Sequence, residues 1–240
     1  YEIPLRLVGS EMCIRDSAWR MKYREMLNPD SLYAGLKGLE QWVKQTDQPM
    51  DRAILHSLIA GIYANYAANN QWQLRQRTEI VDQTPSADIR EWTANMFVEK
   101  VRTNVKEALA DSVLLLKTSS RDYIPFVELG KTSEYYHHDL YHLLASRGID
   151  ALLQVEKLGG GYTETNAVNP VKQDIIAIYG NMLSAYKAAG LKEGYVLTAL
   201  NYLEWRRGAE RYIRPLQAKG EASVLTDDTY LKALNTLKSK

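Results

Sequence analysis

The longest run with a single helical period is Asp51 to Trp72, DRAILHSLIAGIYANYAANNQW. Leu55, Ile59, Ile62 and Tyr66 recur at helical steps and share one face, which Ile54, Leu58 and Tyr63 widen. Ala53, Ser57, Ala60, Gly61, Ala64, Ala67 and Ala68 fill much of the remaining surface, and small side chains let neighbouring helices come close. A helix with so little charge along its middle is expected to be wrapped by others rather than to lie on a surface. Overpacking it, by Ala60→Trp or Gly61→Leu, is expected to disrupt the domain.

The same periodicity organises the rest of the chain. Ala18 to Leu27 reads as the end of a helix stopped by Asn28-Pro29. Asp30 and Ser31 are N-cap residues for a helix to about Lys44, with Leu32, Leu36, Leu39 and Val43 as its apolar stripe. Thr78 to Asp88 carries Pro, Ser and Asp punctuation and reads as a loop. Thr93 caps a helix from Ala94 to Ala110, turning Phe97, Val101, Val105 and either Leu109 or Ala108 to the core. A short helix, Val113 to Leu116, starts at Ser112, and Ser119 to Thr132 is irregular, with Tyr123, Ile124, Phe126 and Val127 available to pin it. A further helix is predicted from Tyr136 to Val155, burying Leu140, Leu143, Leu144, Ile149 and Leu152.

Three consecutive glycines within Leu158 to Asn169 mark the best internal boundary. Pro170 then opens a helix to about Ala189, Gly190 ends it, and Leu191 to Arg207 gives another. This pair resembles a tetratricopeptide-like hairpin of off-standard period: Gly180 allows close packing, Tyr186 and Leu191 flank the turn, and Gly194 stands where a second small residue is expected. Thr229 to Leu237 begins a last helix. No period-two alternation persists, so the expected fold is all-α: antiparallel helix pairs in an irregular bundle passing into the hairpin. The expected division is 1–17 (a segment apart), 18–157 (helical domain), 158–169 (linker) and 170–240 (hairpin and a further helix).

Composition narrows the function classes. The 240 residues carry a net charge of +1 and 25% charged side chains, the balance of an ordinary soluble globular protein with no basic excess for nucleic acid. No apolar run is long enough to cross a bilayer. The start is a special case. Leu7 to Asp16, LVGSEMCIRD, reads as one frame through a transposase-type sequencing adapter, with ATG TGT ATA AGA GAC encoding Met12 to Asp16. The expectation is therefore that the natural N-terminus is missing, which leaves room for a lost signal or lipoprotein sequence, and that Cys13, the sole cysteine, is not a natural residue. Without it the chain has no disulfide, no thiol nucleophile and no cysteine metal site.

His137-His138-Asp139 with His142 is the sharpest candidate for chemistry. On a helix His138 and His142 share a face, as paired metal ligands do, yet the H-E-x-x-H pattern is absent and Tyr135, Tyr136 and Tyr141 suggest a packing surface. Gly38-Leu39-Glu40-Gln41 mimics the tail of a thioester motif without its cysteine and is read as helix surface. Gly159-Gly160-Gly161 lacks the setting of a dinucleotide site. His56 reads as a core or boundary histidine. Arg206, Arg207, Arg211 and Arg214, balanced by Glu204 and Glu210, read as a solvated face, and Ser57 and Ser112 lack the spacing of a nucleophile. No catalytic, cofactor-binding or metal-ligating residue emerges, and no cofactor is expected.

Several blocks in one order do carry a resemblance. Ala53 to Ile80 is a small-residue helix ending in an Asn-x-Trp turn; Asp88 to Leu116 holds an Ile-x-x-Trp segment; the loop Arg121 to Lys131 leads to the Leu-Tyr-x-x-Leu-Ala helix from Leu140 to Leu153. Together they are similar to the N-terminal helical region of large bacterial alpha-2-macroglobulin family proteins, and Thr229 to Leu237 looks like that family's lead into its repeat helices. The resemblance runs from about Ala18 to the end and is densest from Met50 to Leu153. His142 and Ser146 depart from it, standing where the family often has an acidic residue and His.

The resemblance implies a piece of a larger envelope protein, periplasmic or an outer-membrane lipoprotein, that traps attacking peptidases. The family's bait segment and thioester lie downstream of this region, so no functional residue carries over. The expectation is a non-enzymatic helical scaffold whose partners are the downstream domains of its own polypeptide, with peptidases or envelope proteins as further candidates. A free-standing tetratricopeptide-like adaptor is the alternative, and a helical metal-dependent enzyme using His137, His138 and His142 the third reading.

Overall fold

A computed structural model describes residues 31–77, 86, 88–123, 138–158, 169–213 and 227–239. The adapter-like stretch with Cys13, the helix expected at Ala18 to Leu27, Ile124, Phe126, Val127, His137, the three glycines from Gly159, Arg211 and Arg214 lie outside this set or have side chains outside it. Among the described residues the fold is all-α, and its only extended pairing is an isolated antiparallel bridge between Ser119 and Asp139. The helices are α1 (Ser31–Gln45), α2 (Pro49–Asn69), α3 (Gln71–Arg75), α4 (Ala94–Ala108), α5 (Ser112–Lys117), α6 (Leu140–Glu156), α7 (Pro170–Ala188), α8 (Lys192–Ile213) and α9 (Asp227–Lys238). None is long and apolar enough to cross a membrane among the described residues.

The chain groups into two units, the first extending to Ile175 and the second beginning at Ile176. α2 is the hub of the first: α1, α4 and α6 all pack on it, and α4 and α6 also meet each other. Leu55, Ile59, Ala60, Tyr63, Ala64 and Ala67 are buried, so the small residues meet neighbours as their size invites. Ile62 and Tyr66 are only half-buried. Each fully buried Leu or Ile contributes roughly 1.5–3 kcal/mol relative to leaving it in water.

Local chemistry sets the helix limits. Pro49 occupies the first turn of α2, where its missing N–H is not needed. The helix stops before Trp72 because Asn70 turns out of helical geometry, and both its backbone N–H and its Nδ2 donate to the Tyr66 carbonyl, the latter at 2.8 Å. Trp72 consequently lies on α3, largely exposed. α5 is capped by Asp111, whose side chain accepts from the Leu114 N–H, so the cap falls one residue before the expected Ser112. In α4, Ala108 rather than Leu109 is the buried member of that pair.

At Gly148, in the middle of α6, the Val105 side chain of α4 comes close to the backbone. A Cβ at that position would lie 2.8 Å from Cγ1 of Val105. At Gly61, by contrast, a Cβ would meet nothing within 4 Å, so the expected overpacking does not arise from that atom. Around α2 an aromatic cluster closes the core: Trp92 stacks on Tyr63 at 5.3 Å and tilts against Phe97 at 5.2 Å. The indole N–H donates to the Ser86 carbonyl at 2.7 Å. Arg102 on α4 binds the Asp174 carboxylate at the start of α7 and also Glu99, and those anions hold its guanidinium firmly protonated.

Candidate functional site

The histidine motif is taken apart by the start of α6. Asp139 caps this helix, its carboxylate accepting from the His142 N–H at 2.6 Å. Helical geometry therefore begins at Leu140, not at Tyr136 as the periodicity suggests, and His138 lies before it, outside the helix. The His138 carbonyl accepts from the N–H and the Oγ of Ser120, and the Leu140 N–H donates to the Thr118 carbonyl, which builds the Ser119–Asp139 bridge. His138 is exposed with its Nε2 3.0 Å from the Arg121 guanidinium, whereas His142 is buried on the helix. The two do not share a helix face, because only one of them is on the helix. Among the described residues no group of three His, Cys, Asp or Glu side chains is placed to hold a metal.

The remaining candidates resolve into packing. His56 Nδ1 lies 2.8 Å from Oδ1 of Asn104, whose Nδ2 donates to the Lys100 carbonyl. That second bond leaves Oδ1 facing the ring, so Nδ1 carries the proton. Ser57 is buried beside a cavity of about 10 Å³ between α2 and α6, with room for about one water and no substrate. Ser112 is merely the first residue of α5. Glu40 is more than helix surface: it accepts from Tyr63 Oη at 3.0 Å and pairs with Lys100 at 2.8 Å, tying α1 to α2 and α4. Arg206 and Arg207, expected on a solvated face, are half-buried on α8.

The second unit holds a feature with the dimensions of a ligand site. α7 ends at a tight reversal: Gly190 has φ +68°, and the Leu191 N–H reaches back to the Tyr186 carbonyl at 3.0 Å. This closure requires the left-handed conformation that glycine adopts without a Cβ penalty. Leu191 then precedes α8, and its carbonyl accepts from the Tyr195 N–H. The hairpin is held by Tyr179, whose ring lies 5.1 Å from that of Tyr202 and 6.0 Å from that of Trp205. It is also held by Tyr186, whose ring covers Gly194 so closely that a Cβ there would sit 2.5 Å from Cε1. Gly180, read from sequence as the close-packing glycine, is exposed with open space at its Cβ position. Gly194 has that role instead.

At this turn lies an open groove of about 510 Å³, bounded on one side by Ser239 just past the end of α9. That volume falls within the range of small-ligand and side-chain pockets, about 300–1,000 Å³. Tyr186, fully buried, forms the floor; Leu191, Tyr195 and Val196 are half-buried; Lys187 and Lys192 stand exposed. The sequence marks Tyr186 and Leu191 as flanking the turn, but it does not single out Lys187, Lys192, Tyr195 or Val196. The available signal was the sequence YKAAGLKEGYV, a lysine on either side of the turn glycine with tyrosines outside them. Comparisons of the chain with protein families, curated proteins and solved structures found no match.

Proposed function

We propose that this chain is a non-enzymatic helical scaffold, the N-terminal part of an envelope peptidase inhibitor of the alpha-2-macroglobulin type. The observation that carries this reading is a coincidence of two patterns. The sequence blocks that resemble the family, Ala53 to Ile80, Asp88 to Leu116 and Leu140 to Leu153, supply α2, α4 and α6, the three mutually packed helices of the first unit. Residues selected for such packing leave their side chains inside, which suits a body that presents surfaces to neighbouring domains. Its partners are then the downstream domains of its own polypeptide, with peptidases reached through them, and its compartment is the cell envelope.

A second reading, a free-standing tetratricopeptide-like adaptor, draws on the α7–α8 hairpin and its groove. The coding sequence around this segment separates the two. Macroglobulin-type β-sandwich domains following Lys240 and a signal peptide with a lipobox cysteine upstream are the expected result. A stop codon directly after Lys240 favours the adaptor, and a cytoplasmic start without a signal overturns the envelope assignment.

A further inference from the structure

We propose that the groove at the α7–α8 turn is a docking site for an acidic peptide segment of another protein, one that inserts an apolar side chain between its carboxylates. Three observations lead there. The groove is preformed, because Gly190 fixes the turn and Gly194, having no Cβ, lets the Tyr186 ring come close against α8 as a floor. Its lower part is apolar and aromatic, supplied by Tyr186, Leu191, Tyr195 and Val196. Among the described residues its lining charges are both positive: Lys187 in the last turn of α7 and Lys192 at the start of α8. Neither lysine has an ion-pair partner among the described residues, and the acidic neighbour Glu193 is exposed and outside the lining.

Unpaired cations at the rim of an apolar groove select anionic groups flanking an apolar one, by charge complementarity and by removal of apolar surface from water. A peptide matches this arrangement because its alternating side chains place carboxylates and an apolar group within a few ångströms of one another. The inference goes beyond the inhibitor and adaptor readings, since it concerns what this groove binds and not the identity of the larger protein.

The test uses the full chain and a fluorescein-labelled peptide, DEELWEDE, followed by fluorescence anisotropy. Saturable binding is expected, weakening as salt rises past the concentration at which the screening length falls to about 10 Å. Reversing the rim charges, Lys187→Glu with Lys192→Glu, is expected to weaken it at least about tenfold, and replacing the peptide's Leu-Trp by Ser-Ser about as much. Both lysines are exposed, and the milder pair Lys187→Gln with Lys192→Gln, checked by circular dichroism, separates lost binding from lost structure. Binding of the basic peptide KKKLWKKK as tightly, no saturable binding of the acidic one, or affinity unchanged by charge reversal overturns the proposal. So does chain that co-sediments with phosphatidylglycerol vesicles yet ignores the peptide.

Discussion

Adding one methyl group at Gly148 should set α4 against α6, and the size of the effect follows from the contact. A Cβ there lies 2.8 Å from Cγ1, 3.6 Å from Cγ2 and 3.8 Å from Cβ of Val105. Carbon atoms prefer about 3.5–4.0 Å, so the first of these contacts is short by roughly 1 Å. Val105 is buried and β-branched, and such a side chain has one strongly favoured rotamer in a helix, so it has little freedom to swing aside. Overpacking of this kind costs about 1–3 kcal/mol, against which replacing a mid-helix glycine by alanine returns about 1 kcal/mol of helix propensity. Gly148→Ala is therefore expected to destabilise the wild-type protein by about 1 kcal/mol. In a Val105→Ala background the obstructing methyls are gone, and the same change should stabilise by about 1 kcal/mol, a coupling of roughly 2 kcal/mol between the sites. Urea unfolding of the four proteins, at constant m-value, measures all three quantities. Equal, stabilising effects of Gly148→Ala in both backgrounds would refute the close approach.

The remaining predictions concern other parts of the first unit. Ala60→Trp should collapse its cooperative unfolding transition, since Ala60 is buried on α2, whereas Gly61→Ala should raise stability by up to about 1 kcal/mol because its Cβ has open space; thermal melts of the pair check both signs. Glu40→Ala removes the carboxylate that accepts from the Tyr63 hydroxyl and should cost about 1–2 kcal/mol, above the loss from Lys100→Met, which breaks a partly exposed ion pair and a cation–π contact 5.8 Å from the Tyr63 ring centre; denaturant midpoints of the two variants rank them. Zinc titrated calorimetrically into wild type, His138→Ala and His142→Ala should give no saturable heat in any of the three, and binding abolished by both substitutions would restore the metal reading. Burial, with the Asp139 charge adding to it, pushes the Tyr141 phenol up to about 12, above the value of about 10 in an unfolded chain. Its neutral form therefore stabilises the fold fully below about pH 10, a contribution lost as pH rises through about 12. The alkaline fall in urea midpoint should be shallower in Tyr141→Phe, and identical slopes would contradict this.

How much could be read from the chain depended on whether a property is local. The burial of α2 was legible, because a stripe of Leu55 and Ile59 backed by alanines is written into one continuous segment. The end of that helix at Asn70 was not, since a side chain competing for the Tyr66 carbonyl leaves no trace in the periodicity. His138 and His142 looked paired only on the assumption of a helix that Asp139 delays. Glu40 was dismissed as surface because its partners, Tyr63 and Lys100, come from other helices. Gly148 and Gly194 illustrate the same limit: a helical glycine shows a weak point in sequence, and only the neighbour, Val105 or Tyr186, reveals whether it is a point of approach. Gly180 fits the hairpin pattern and has no such neighbour. The groove was least legible, because its lysines become a pair only once Gly190 folds the chain back on itself.

The position of α2 also governs how the first unit assembles in time. Its contact with α1 is a local hairpin that closes a short loop, while its contacts with α4 and then α6 close successively longer ones. Loop-closure entropy grows with length, and contacts distant in sequence slow folding, so α1–α2 is the natural first pair and α6 the last large piece to dock. Until α6 arrives, Ile54, Ser57 and Leu58 of α2 lack their neighbours on that side. An interruption of the chain before Leu140 would thus leave an early intermediate with an open seat, and a separately supplied α6 would have a place to bind.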